Sequence, residues 1–339
     1  MRRLNHALAV LAVLGLAAGC SSAHGRADTA SDTGDDTTKA GYTAGSPFWV
    51  DPESSAAQQA RLWEQQDRDY DAELIRLIAD RPAALWPPGE TDPAPTVRAA
   101  ASAASEEGKT AVFVAYNIPH RDCGQHSAGG AQDADAYRQW IGQFADALGE
   151  AEALVVLEPD AVAHIVDGCT PGEYHAEREQ LLGEAITRLK QQPNTKVYLD
   201  AGNADWIREP DKLVEPLRRA GIEQADGFAL NVSNFQTDDE TTEYGLRLAE
   251  ALDGKHFVID TSRNGNGPLP GVWCNPPGRA LGTPPTTQTG ERTLDAYLWI
   301  KRPGESDGDC EGGPDAGRWW PEYALELARN AEDWARRER

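Results

Sequence analysis

The sequence predicts an α/β fold built on parallel strands, and three observations carry the prediction. Short apolar runs alternate with longer stretches of helical spacing, the order of βαβ units. The runs are apolar throughout, as strands buried on both faces are. Each run ends in polar residues, so the same point of every unit delivers side chains capable of chemistry.

Taken in order, residues 1–19 stand apart from the fold. Arg2 and Arg3 precede an apolar run too short to span a bilayer, which has the shape of a signal h-region. Ala17, Ala18 and Gly19 then lead into Cys20, a lipoprotein-type cleavage site whose Leu16 lies one position further back than usual. The expectation is an exported protein, either anchored at the cell surface by lipid on Cys20 or secreted. Residues 20–45 are rich in Ala, Asp, Thr, Ser and Gly, cannot bury a core, and read as a disordered linker. The folded domain is expected over 46–339.

Within it, residues 61–79 have helical spacing, stopped by Pro82. Apolar runs follow at 111–118, 153–157, 196–199, 227–232, 256–259 and 294–300. Helical stretches fall at 134–148, 173–191, 206–220, 242–252 and 322–337. A complete barrel has eight strands, so these six runs fit either an irregular barrel or an open doubly wound sheet. No G-x-G-x-x-G follows the first run, and there is no P-loop and no H-E-x-x-H.

Composition narrows the function. The 339 residues carry a net charge of −23, with 40% hydrophobic and 26% charged residues. So acidic a chain repels nucleic acid and anionic lipid, so a membrane would hold it only through an anchor. Beyond Cys20 there are four cysteines, Cys123, Cys169, Cys274 and Cys310. In an exported chain they suggest two disulfides, in any of three connectivities. No C-x-x-C pair supports a zinc site, and no metal or cofactor is expected.

In a parallel barrel all strand ends meet at one face, which would bring Asp122, Asp160, Asp200 and Asp307 together. Crowded carboxylates cannot all ionise freely, so at least one keeps a proton to donate. One carboxyl as acid and another as base is the equipment of glycosidic hydrolysis. Asp is also a common turn and cap residue, but several in register favour a site. There are 10 Trp against 6 Phe; an indole face packs on a pyranose, although Trp299, inside a run, reads as core.

The motifs at these positions resemble glycoside hydrolase family 6, the inverting β-1,4-glucanases. The matching blocks are Tyr-Asn-Ile-Pro-His-Arg-Asp-Cys at 116–123, Leu-Glu-Pro-Asp at 157–160 and Tyr-Leu-Asp-Ala-Gly at 198–202. Further blocks follow at 227–234, 259–265, 273–279 and 301–308, from Gly-Phe-Ala-Leu-Asn-Val-Ser-Asn to Lys-Arg-Pro-Gly-Glu-Ser-Asp-Gly. The resemblance implies a distorted, partly open barrel of fewer than eight strands with an open active-site cleft. It implies sequential disulfides, Cys123 with Cys169 and Cys274 with Cys310. It assigns Asp160 as general acid, Asp122 as the aspartate that keeps it protonated, and Asp307 as base. Tyr116 would favour sugar distortion and Ser127 would hold the catalytic water. Trp49, Asp200, Trp206, Asn231, Trp273, Lys301 and Glu305 become substrate-binding candidates. So does Asn203, which stands where the family commonly has His. Short loops around Trp273 favour endo action on cellulose or a related β-glucan by a monomer. Cellobiohydrolase-type exo action and a non-catalytic glucan-binding lipoprotein are the alternatives.

Two local motifs compete. Gly304 to Gly308 fits the G-x-S-x-G nucleophile elbow at Ser306, but the following residues cannot form a helix and no His follows it. Asp307, Asp309 and Glu311 suggest a calcium loop, but its twelfth position is Arg318.

Overall fold

Six strands, β1 (Ala111–Ala115), β2 (Ala153–Leu157), β3 (Thr195–Asp200), β4 (Gly227–Leu230), β5 (His256–Asp260) and β6 (Leu294–Leu298), form one sheet in the computed structural model. The structure describes residues 46–124 and 128–337. The expected signal segment, Cys20, the linker and Ser127 lie outside the described residues. The strands pair in parallel in the order of the sequence, β1 to β6. A doubly wound sheet reverses its strand order at a switch point. This sheet never reverses, which decides for the curled half-barrel over the open alternative.

Both faces of the sheet are buried, for different reasons. Phe113, Val155, Val197, Leu199, Phe228 and Phe257 point outward into the main core beneath the helices. Val112, Val114, Leu154, Val156, Tyr198, Ala229, Val258 and Leu298 alternate with them and fill the interior. The outer layer includes α3 (Ala94–Glu106), α4 (Ala134–Leu148), α6 (His175–Leu189), α7 (Asp211–Arg219) and α8 (Asp238–Ala251). A second core joins α1 (Ser55–Glu64), α2 (Asp69–Ala79) and α9 (Pro321–Arg337) around Trp299, which is the core residue its place in a run predicts. No helix among the described residues is long and apolar enough to cross a membrane.

The two sheet edges meet across a borrowed segment. Leu85 donates its N–H to Val112 of β1 (2.9 Å) and accepts from Val114 (2.8 Å), while the Ala84 N–H donates to Trp299 just after β6 (2.8 Å). The Trp86 indole adds a bond to the Ile300 carbonyl at 2.9 Å. Residues 84–86 thus close the gap that the two missing strands would occupy.

The elements depart from the sequence reading mainly at the helices, and the stretch expected over 206–220 is helical only over Asp211–Arg219. The helix expected over 61–79 is two helices, because Asp67 takes a left-handed backbone (φ 57°) between them. α3 answers to no run in that reading; its Ala-rich face buries small side chains.

Candidate active site

Period-two alternation carries past each strand end. The inward positions one step beyond β1 and β2 are Tyr116 and Glu158, and those at or just beyond the ends of β3, β4 and β5 are Asp200, Asn231 and Asp260. The last four are fully buried. Glu158 accepts N–H bonds from Asn117 and Ile118 after β1 (2.9–3.0 Å). Asp200 accepts from Asp160 after β2 (2.9 Å) and from Gly202 (3.0 Å). Asp260 accepts from Ser233 after β4 and Lys301 after β6, both 2.9 Å. The Asn231 amide spans Gln236 and the Asp260 carbonyl. These buried polar groups stitch the loop after one strand to the end of its neighbour.

Asp160 and Asp122 stand on this layer. Their carboxylates and the His164 ring offer atoms within 4.8 Å of one another. Both aspartates have left-handed backbones, at φ 70° for Asp160 and 54° for Asp122. His164 follows Asp160 by one turn on the short helix α5 (Ala163–Val166) and lies 3.9 Å from Asp122 and 3.6 Å from Asp167. Burial, then the charges of Asp200, Asp122 and Asp167, push the Asp160 carboxyl well above the ordinary carboxylate range. Burial also lowers the His164 imidazole.

Aromatic and polar flanks surround the pair. Trp206 donates its indole N–H to Asp167 at 2.9 Å and meets His164 edge-on, centroids 4.8 Å apart. Asn203 is buried and accepts from the Asp205 and Trp206 N–H groups, both at 3.1 Å, so it fixes the turn that presents Trp206. Tyr116 is half-buried between Trp86, edge-on at 5.6 Å, and the Arg121 guanidinium at 4.7 Å. Trp273 is 52% exposed, as its Gly/Pro-rich loop suggests.

A second group rises from the ends of β5 and β6. Asp307 accepts from Arg263 at 2.9 Å and the Asn275 N–H at 3.0 Å, with the Lys301 ammonium 3.6 Å away. Burial pushes its carboxyl up, but the charges of Arg263 and Lys301 outweigh that and hold it below the ordinary value. Glu305 pairs with Arg302 at 2.7 Å, and burial raises its carboxyl. Burial lowers the Lys301 ammonium.

One expected substrate contact, Trp49, lies elsewhere. Trp49 is buried in the main core, its indole on Glu107 at 3.1 Å and its backbone on Thr110, at the opposite end of β1 from the site. An aromatic beside a proline does not reveal which end of a strand it serves. Asp200 and Asn231 are at the right end but wholly buried, and they support the site from beneath. His164, Arg178 and Arg263 were not singled out by sequence. The i, i+4 spacing of Asp160 and His164 is the signal that could have found the first.

The disulfides pair sequentially, Cys123–Cys169 and Cys274–Cys310. Ser306 is fully buried, and its hydroxyl bonds the Gly308 and Pro314 carbonyls. A buried serine in a loop is no nucleophile elbow.

A carboxyl pushed above its ordinary range by burial and by neighbouring acids, beside an indole at the mouth of a parallel half-barrel, is the apparatus of the acid-assisted glycoside hydrolases. Residues 43–331 match the glycosyl hydrolases family 6. The chain belongs to that family. It is 44% identical over 289 residues to endoglucanase A of Cellulomonas fimi, covering 84% of this chain and 62% of that protein. The chain therefore spans less than two thirds of that relative. It is 42% identical to endoglucanase 1 of Streptomyces halstedii, covering 83% of this chain and 88% of that one. The structure resembles the endoglucanase Cel6 of Mycobacterium tuberculosis in complex with a thio-linked cellobioside, with TM-score 0.78 and 43% identity over 85% of this chain and 98% of that chain.

Proposed function

We propose that the protein hydrolyses internal β-1,4-glucosidic bonds of cellulose or a related β-glucan with inversion at the anomeric carbon. The observation that carries this reading is the placement of the Asp160 carboxyl, above Asp200 and within 4.8 Å of Asp122 and His164. In the proposed reaction Asp160 donates its proton to the leaving oxygen. Asp122 keeps that proton on Asp160 through its own charge. Asp307, ionised by Arg263 and Lys301, acts as the base toward water, directly or through a relay, with Ser127 holding that water. Tyr116 presses the sugar toward a distorted ring. Trp206 and Trp273 offer faces to neighbouring sugars, and Lys301 and Glu305 bond hydroxyls. Endo cleavage is favoured because the similar proteins of Cellulomonas fimi and Streptomyces halstedii are named endoglucanases.

Proton NMR of the first product from cellotetraose tests the reaction. The α anomer is expected first; initial β anomer, or no cleavage, would reject the assignment.

The same proposal includes export, anchorage by lipid on Cys20, and a monomeric state. A basic, apolar N-terminal segment ending in Cys20 supports the first two. Palmitate labelling that Cys20→Ala abolishes, and a solution mass near 36.7 kDa less the signal segment, would check them.

A further inference from the structure

Arg178 lies on α6, one layer behind the acids, and is 3% exposed. Its guanidinium donates to the Pro119 and His120 carbonyls at 3.2 and 2.8 Å, on the loop that carries Asp122. It donates to the Ala161 carbonyl at 3.3 Å, next to Asp160. It also donates to the Thr170 hydroxyl at 2.6 Å, beside Cys169. One planar donor fork thus ties together three loops that meet at the acids. Asp122 is bracketed by the bond to His120 on one side and the Cys123–Cys169 bridge on the other. That restraint has a purpose, because His120, Asp122 and Cys123 all hold left-handed backbones (φ 56°, 54° and 46°) that few non-glycine residues adopt unaided.

We propose that Arg178 is a positioning residue that sets the separation of Asp122 from Asp160 and thereby the delivery of the Asp160 proton. It touches neither sugar nor reacting atoms; it acts through the loops. The inference rests on the hydrolase reading above. It predicts a loss that depends on how much the leaving group needs a proton. Cellotetraose has a poor leaving group and needs one, whereas 2,4-dinitrophenyl β-cellobioside leaves as a stable phenolate and does not.

The test compares kcat/KM of Arg178→Gln and Arg178→Lys on both substrates, with thermal melts to check folding. Thr170→Val, which removes one bond of the fork, serves if the Arg variants do not fold. Arg178→Gln is expected to lose about 10²-fold on cellotetraose, the scale of a displacement near 1 Å. The loss on the dinitrophenyl substrate is expected to stay below about threefold. Arg178→Lys, which keeps the charge but not the fork, should fall between Gln and wild type, and Thr170→Val should show a smaller split of the same sign. An equal loss on both substrates, or none, in folded variants of an active wild type overturns this inference alone. A wild type inactive on both substrates overturns the hydrolase reading and this inference with it.

Discussion

At the scale of single residues, this site separates two uses of buried acids. Glu158, Asp200 and Asp260 accept backbone N–H groups and hold loops. Asp160 lends its own N–H to Asp200 and keeps its carboxyl for the cleft. Asp160→Asn preserves that backbone bond and nearly the same volume but removes the transferable proton. It is expected to lose about 10³-fold in turnover of unactivated glucan, within the range for general acids, with a near-native melting temperature. Assays on cellotetraose check this, and near-normal turnover would remove Asp160 from the acid role. Asp122 and Asp160 were legible as acids just beyond strand ends, which the fold brings within 4.8 Å of one another. Asp200 was legible as a strand end, but sequence cannot distinguish a side chain aimed at the cleft from one turned onto a neighbouring loop. Arg178 and Arg263 were not legible, since an arginine in a helix or loop gives no sign of burial.

At the scale of elements, the strands were readable almost to their ends, because apolar runs buried on both faces have few alternatives. The helices were less so. α3 is built from alanines, which carry little periodic signal, and the break at Asp67 depends on one residue's backbone. The loop between β1 and α4 shows how tightly a connection can be specified. Gly130 has φ 96°, and a Cβ there would lie 2.0 Å from the Ile118 carbonyl oxygen. The next residue, Ala131, donates its N–H to the Asn117 carbonyl at 2.8 Å. Gly130→Ala must push this loop off the end of β1, at a cost of about 1–3 kcal/mol. Urea denaturation is expected to register that loss together with reduced activity, since the same loop carries Asp122. A variant of unchanged stability would mean the loop relaxes freely.

For the molecule as a whole, the buried carboxyls make stability depend on pH. Burial raises Glu158 from its ordinary 4.5 to about 7 and Asp200 from 3.8 to about 7. Groups raised in this way bind protons more tightly when folded. The stability they contribute is complete below about pH 4 and is lost as pH climbs through about 7. Asp307 runs the other way: its contribution is present above the ordinary carboxylate value and lost as pH falls through its lowered one. Calorimetry is expected to find a melting temperature several degrees higher at pH 5 than at pH 8. A flat or rising trend across that interval would show that Glu158 and Asp200 ionise without penalty.

Residues 84–86 shut the wall between the first and last strands, and buried side chains occupy the space inside. A polymer arriving at the mouth has nowhere to descend. The glucan proposed as substrate would therefore rest crosswise over the opening, as a beam rests on a sill, and the barrel beneath would set no limit on how far it extends to either side.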